Sequence, residues 1–183
     1  MERGLSMNIE DRVCDTLVDM MAEMPFEKIK VTALVERAGI SRSSFYVYFQ
    51  STYDVLQMVE ESVITDLILS QTVPVSFSSK EIVELSARIK KKLRAFSVLT
   101  GPNGSPSFYS KLAARNRKIL LNMAQELDST VTATELQVIN EFTLAGKIRI
   151  FQWWEEHENY VSVSEMATIL DKLNSAVNEN LLR

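Results

Sequence analysis

The sequence predicts an all-α fold, and three observations favour it. Apolar residues recur at intervals of three and four along most of the 183 residues, which is the period of an amphipathic helix. Glycine and proline are scarce, at five and four residues, so helices can continue for many turns. No segment has the strict alternation of a half-buried strand, and no internal repeat or low-complexity tract is visible.

The first two predicted helices lie between residues 8 and 38. The first begins near Asn8, a residue suited to capping, and ends at Pro25, because proline lacks a backbone donor. Its apolar face consists of Ile9, Val13, Leu17, Met20 and Met24. A shorter helix follows, with Val31, Leu34, Val35 and Ala38 on one face. Gly39 ends it, since glycine readily takes the positive φ of a helix C-terminus.

Serines mark the start of the next two helices. Ser41 is the expected N-cap of the third helix and Ser51 that of the fourth. The buried side of the fourth helix consists of Val55, Leu56, Val59, Val63 and Leu67. Residues 71–79 form the first obvious loop. This loop is a plausible boundary, and the sequence is predicted to have two parts, residues 1–56 and residues 57–183.

Capping patterns also predict the later helices. Ser78 with Glu81 forms a capping box for a helix that reaches about Leu99. After the turn at residues 101–106, Ser105 and Pro106 open a helix that reaches about residue 127. The last two helices begin at two further capping boxes, Thr132 with Glu135 and Ser162 with Glu165.

Composition excludes several classes of protein. No run approaches the roughly 18 apolar residues of a membrane helix, so no membrane partner is expected. The single cysteine, Cys14, rules out an intrachain disulfide and favours a cytoplasmic protein. His157 is the only histidine, and no zinc, phosphate-loop or Ser-His-Asp pattern occurs, so we expect no metal, no cofactor and no enzyme. The net charge of −4 neither indicates nor excludes binding to nucleic acid, because it is the charge at the contact surface that interacts with phosphate.

The segment AGISRSSFYVYFQS, residues 38–51, predicts a helix-turn-helix unit. In such units the second helix enters the major groove of DNA, and its first residues meet base edges. Arg42 can make a bidentate contact with guanine, while Ser43 and Ser44 keep the helix thin and offer hydroxyls to phosphate. Phe45 and Phe49 are four residues apart and should face the core.

This segment resembles the DNA-binding domain of the TetR family of transcriptional regulators. The resemblance extends from about residue 8 to residue 60 and is densest over residues 26–56. The family's turn and its aromatic pattern match Ala38-Gly39-Ile40-Ser41 and Ser44-Phe45-Tyr46-Val47-Tyr48-Phe49. Residues 99–108 and 150–167 are similar to the helical effector domain of one subgroup of that family.

The resemblance implies a homodimer on double-stranded DNA, with an unknown small-molecule effector bound in the C-terminal part. The expected DNA-binding residues are Thr32, Ser41, Arg42, Ser43, Ser44, Tyr46, Val47, Tyr48 and Thr52. The expected dimer interface consists of Ile150, Trp153, Trp154, Leu170, Leu173 and Val177. Phe96, Phe108, Tyr109 and Phe142 can line an effector pocket, although a filled core is the favoured interpretation of these four rings.

Two departures from the family pattern leave alternatives open. Members usually carry lysines where this chain has Gln50 and Thr52, and they usually have a threonine cap where Lys30 precedes the second helix. Residues 1–56 also hold six basic and nine acidic residues. The main expectation is a ligand-responsive repressor on a palindromic operator. The alternative is a protein-interaction module with the same fold and degenerate DNA binding. The basic run at residues 88–94 is either a solvated helix face or a site for an anionic effector.

Overall fold

A computed structural model describes residues 8–69, 79–127, 129–157 and 160–181. In these ranges the chain forms eight α-helices and a short 3-10 helix, with no strand, which confirms the predicted all-α class. The elements in order are α1 Ile9–Glu23, the 3-10 helix Phe26–Lys28, α2 Val31–Arg37, α3 Arg42–Tyr48, α4 Thr52–Leu69, α5 Ser79–Thr100, α6 Pro106–Glu126, α7 Ala133–Glu156 and α8 Val163–Leu181.

Reciprocal capping bonds mark the starts of α7 and α8. The hydroxyl of Thr132 accepts from the backbone N–H of Glu135 at 3.2 Å, and the Glu135 carboxylate accepts from the Thr132 N–H at 2.8 Å. Ser162 and Glu165 make the same reciprocal pair at the start of α8. The reciprocal bonds satisfy backbone donors that have no partner within the helix. The capping box predicted at Ser78 lies outside the described residues.

Three local features differ from expectation. Asn8 precedes α1 but makes no capping bond; its amide donates to the Glu10 carboxylate at 2.8 Å instead. Pro106 occupies the first turn of α6 as predicted, yet the Ser105 hydroxyl bonds the Ser107 hydroxyl rather than the helix backbone. The 3-10 helix after Pro25 was not predicted, because three residues are too few to show a period.

A continuous hydrophobic core joins both ends of the chain. It includes Leu17 of α1, Phe45 of α3, Phe96 of α5 and Trp154 of α7. The boundary predicted between residues 56 and 57 falls inside α4, which packs on α1 on one side and α5 on the other. Helix α4 therefore contacts both predicted parts.

Ion pairs hold α5 against the N-terminal helices. Lys91 lies 2.7 Å from Asp15 of α1, and Lys92 lies 3.2 Å from Asp66 of α4. Arg94 lies 2.8 Å from Asp19 of α1. The basic run at residues 88–94 was predicted to be a solvated face or an anion site. Three of its cations instead pair with carboxylates and link α5 to other helices.

A buried polar cluster lies between α6 and α7. The Asn116 amide donates to Asn140 at 2.9 Å and to Thr143 at 3.3 Å, and the Lys147 ammonium donates to the Asn116 carbonyl at 3.3 Å. Burial lowers the pKa of Lys147, because desolvation disfavours the charged ammonium.

Candidate nucleic-acid interface

The turn between α2 and α3 has the geometry of a helix-turn-helix. Gly39 takes φ +63°, a conformation in which glycine is free of strain, and the Ile40 N–H donates to the Val35 carbonyl at 3.0 Å. The Ser41 hydroxyl accepts from the Ser44 N–H at 3.0 Å, which confirms the predicted N-cap. The turn thereby fixes where α3 begins and which way it points.

Two phenylalanines anchor α3 to the core. Phe45 and Phe49 are buried, and their ring centroids lie 5.4 Å apart. This confirms the inward orientation predicted from their spacing. Because Phe45 and Phe49 face the core, the other side chains of α3 are exposed, apart from the half-buried Ser44.

The exposed face of α3 carries most of the predicted DNA-binding residues. Tyr46 is 58% exposed and Val47 is 74% exposed. Thr32 of α2 is exposed as well, while Ser44 is half-buried beside the capping hydroxyl. The remaining exposed members are Ser41, Arg42, Ser43 and Tyr48. Apart from Thr52, the predicted set therefore lies on or beside one accessible surface.

Thr52 corrects the predicted set. Its side chain is only 9% exposed, so it faces the protein at the start of α4 rather than the DNA backbone. Gln50, two residues earlier, is exposed, and its backbone N–H donates to the Asp54 carboxylate at 2.7 Å. Family members usually carry lysines at both positions, but in this chain Gln50 is exposed and Thr52 is buried.

The local charge around α3 is only modestly positive. Lys28, Lys30 and Arg42 are exposed and have no ion-pair partner in the part of the chain that the structure describes. Arg37 is engaged: one guanidinium nitrogen donates to the Glu23 carboxylate at 2.7 Å, and this bond lowers the pKa of Glu23. Arg37 is therefore less available to phosphate than Lys28, Lys30 and Arg42.

The four rings predicted to line an effector pocket do not share one environment. Phe96 and Phe108 are fully buried and pack edge-to-face at 6.1 Å. Tyr109 is exposed and donates to the Glu141 carboxylate, and Phe142 is 72% exposed. The two buried rings contribute to the core, while the two exposed rings lie at the surface.

A cavity of about 340 Å³ lies elsewhere, between the 3-10 helix, α4 and α6. Its walls include Phe26, Tyr53, Glu60 and Lys111. Glu60 is only 1% exposed, and its carboxylate accepts from the Lys111 ammonium. Sequence reasoning missed this site, although a glutamate among the buried positions of α4 was a usable signal, since charged residues are seldom fully buried without a partner.

Only part of the predicted dimer surface is accessible in a single chain. Trp154 is 5% exposed, and its indole N–H donates to the Val161 carbonyl at 2.9 Å, so it belongs to the core of one chain. Ile150 and Leu170 are half-buried against the same core, and the side chain of Val177 lies outside the described residues. Trp153 and Leu173 are exposed.

Exposed apolar residues nevertheless continue along both last helices. On α7 they are Val138, Phe142 and Trp153, and on α8 they are Ile169 and Leu173. Trp153 stacks on His157 with ring centroids 4.9 Å apart. We call these five residues the α7–α8 apolar surface. The sequence predicted Trp154 in the dimer interface because α7 is apolar on several sides. The spacing of apolar residues does not show which of these sides packs against the core of the same chain.

Comparison with known proteins points to the same N-terminal unit. Residues 14–59 match the family model described as bacterial regulatory proteins, tetR family. This range runs from α1 into α4 and contains the whole helix-turn-helix. Neither the curated proteins nor the solved structures include a significant match. Among the described residues, no helix is long and apolar enough to cross a bilayer, and no cluster of potential metal ligands occurs.

Proposed function

We propose that this chain, whose residues 14–59 match the family model described as bacterial regulatory proteins, tetR family, is a transcriptional repressor that binds a palindromic operator as a homodimer. A small-molecule effector releases the protein from DNA by changing the position of the two α3 helices. With DNA as its partner, the protein acts in the cytoplasm.

The exposed face of α3 carries this proposal. Arg42 lies in the first turn of α3, where helix-turn-helix proteins meet base edges, and it has no ion-pair partner among the described residues. Arginine in that position can pair with the O6 and N7 atoms of guanine. The neighbouring Ser43 and Tyr46 supply hydroxyls at the same surface. Since Phe45 and Phe49 hold the helix rigidly, these groups are preorganised for a groove.

The α7–α8 apolar surface supports the homodimer. Five large exposed apolar residues on two successive helices are more than a monomer usually leaves in contact with water. A twofold interface would bury the same surface on both chains. It would also present two α3 helices about 34–36 Å apart, one turn of DNA. The operator would then be palindromic, because each half-site meets an identical helix.

Local charge favours a second candidate, an interaction module that keeps the fold but binds DNA weakly. Residues 1–56 have more acidic than basic residues, and Arg37 is held by Glu23. A protein that neutralises many phosphates needs more free cations at the contact. The repressor therefore requires that a few well-placed contacts, Arg42 above all, supply the specificity.

A gel shift across a salt series on the DNA upstream of the chain's own gene separates the two candidates. The repressor binds this DNA more tightly than a scrambled duplex, with a shallow dependence on salt. Gln50→Lys should steepen the slope of log affinity against log salt by about 0.9, because one added lysine neutralises one phosphate. Ser175→Glu on α8 serves as a control whose slope stays unchanged. Equal, weak binding of both duplexes by the natural chain would favour the interaction module.

A further inference from the structure

The cavity between the 3-10 helix, α4 and α6 runs from an exposed rim to a buried floor. Tyr53 at the rim is largely exposed, whereas Phe26, Leu56 and Glu60 are buried. Its volume of about 340 Å³ is large enough for a small organic ligand. DNA contact by α3 gives this space no role.

The floor of the cavity holds a carboxylate that requires a cation. Glu60 is 1% exposed, and it accepts from the Lys111 ammonium and, at 3.5 Å, from the Ser107 hydroxyl. Lys111 is different, because its side chain is 39% exposed and can move into solvent. A buried charge left without its partner is strongly destabilising. Any ligand that moves Lys111 away must therefore bring a positive charge of its own.

The walls of the cavity suit the apolar part of such a ligand. Phe26 and Tyr53 pack edge-to-face with ring centroids 4.8 Å apart, and Leu56 adds an aliphatic surface. Aromatic faces attract cations as well as apolar groups. Glu27 adds a second carboxylate, so the lining carries two acidic side chains and one basic one. The lining thus favours an organic cation over an anion.

We propose that this cavity binds a small primary ammonium compound with an apolar body. Its ammonium group takes the place of the Lys111 nitrogen at Glu60, and its apolar body lies against Phe26, Tyr53 and Leu56. Lys111 moves into solvent and keeps its charge, so no proton or bond is exchanged.

Occupancy of the cavity would change the link between α4 and α6. The Glu60–Lys111 pair joins these helices, and α4 begins four residues after α3 ends. Loss of the pair frees α4 from α6 and alters how α3 is presented to DNA. This coupling rests on the proposed repressor function, whereas ligand binding itself does not.

The test uses three probes of similar shape and different charge: 2-phenylethylamine, 2-phenylethanol and phenylacetate. Their binding to the full chain is measured by calorimetry in the absence of DNA. Glu60→Gln should weaken binding of the amine at least about tenfold, because a hydrogen bond to a charged group is lost. Lys111→Met should strengthen it by about tenfold or more, because the competing cation is gone. The alcohol and the acid should bind the natural chain more weakly than the amine.

The two variants have opposite expected effects, so a general loss of folding does not imitate the result; circular dichroism confirms that each is helical. The proposal would be overturned if the amine bound the natural chain and both variants equally, or bound none of them. Tighter binding of phenylacetate than of the amine would also overturn it. The amine should also weaken binding to the upstream DNA in the natural chain and not in Glu60→Gln. If the amine binds as expected but no DNA is bound, the repressor function fails and the ligand site stands.

Discussion

Arg42 is the residue on which sequence-specific DNA binding depends most directly. It is exposed in the first turn of α3, beside the capped turn. Arg42→Ala should cost about 1–3 kcal/mol on the best site and flatten the preference at one base pair. Fluorescence anisotropy with the upstream duplex, and with single-base variants of it, measures both effects.

A matched arginine provides the control for this experiment. Arg117 is exposed on α6, away from α3, so Arg117→Ala should leave affinity for the upstream duplex unchanged. An equal loss on specific and random DNA after Arg42→Ala would show that Arg42 holds phosphate instead of reading a base.

At the scale of residues, the sequence predicted which side of its own helix a side chain occupies. It did not predict which other element packs against that side chain. The spacing of Phe45 and Phe49 placed both in the core, because four residues is close to one helical turn. It did not show that Thr52 is buried or that Trp154 faces its own chain, since both depend on which element packs opposite. Glu60 was missed for the same reason: its partner Lys111 is 51 residues away in sequence.

At the scale of elements, the sequence predicted nearly every helix in the described residues. Capping residues gave the starts of α3, α7 and α8 because a serine or threonine bonds the helix backbone only two or three residues away. Capping residues could not predict that α6 packs against α7. Their contact combines an apolar cluster that includes Leu120 and Leu136 with a polar cluster whose bonds join residues more than 20 positions apart.

That polar cluster gives a prediction about pH. Burial lowers the pKa of Lys147 below its ordinary 10.5, so between the lowered value and 10.5 the unfolded chain binds more protons than the folded chain. The free energy of unfolding contributed by this group therefore rises with pH across that interval. Lys147→Met removes the titration, so its stability relative to the natural chain should fall as the pH approaches 10.5. Urea unfolding at several pH values measures the difference.

Lys118 supplies the comparison for this pH series. It is exposed on α6, so Lys118→Met should show the same change of stability with pH as the natural chain. If Lys147→Met also follows the natural chain at every pH, the Lys147 ammonium is as well solvated in the folded state as in the unfolded state, and the buried cluster is not as described.

At the scale of the whole molecule, dimerisation should depend on the α7–α8 apolar surface. Leu173 is 48% exposed, so Leu173→Glu should leave the fold of one chain intact and place a charge in the interface between two. The variant is expected to be a helical monomer that binds the upstream DNA weakly, since each half-site loses its linked partner. Sedimentation velocity and circular dichroism measure these properties.

Ser175→Glu adds the same charge to an exposed position on the opposite side of α8 and should remain dimeric. A natural chain that sediments as a monomer at micromolar concentration would contradict both the interface and the palindromic operator. A dimer that survives Leu173→Glu would move the interface to another surface.

The central claim is that two chains bind one specific duplex through their α3 helices. Sedimentation velocity of a fluorescent duplex from upstream of the chain's own gene, with increasing protein, tests it in one measurement. The account predicts a saturable complex of two chains per duplex, absent with a scrambled duplex and absent with Arg42→Ala at the same concentration. A duplex that sediments unchanged, or a complex that forms equally well on scrambled DNA, would contradict it.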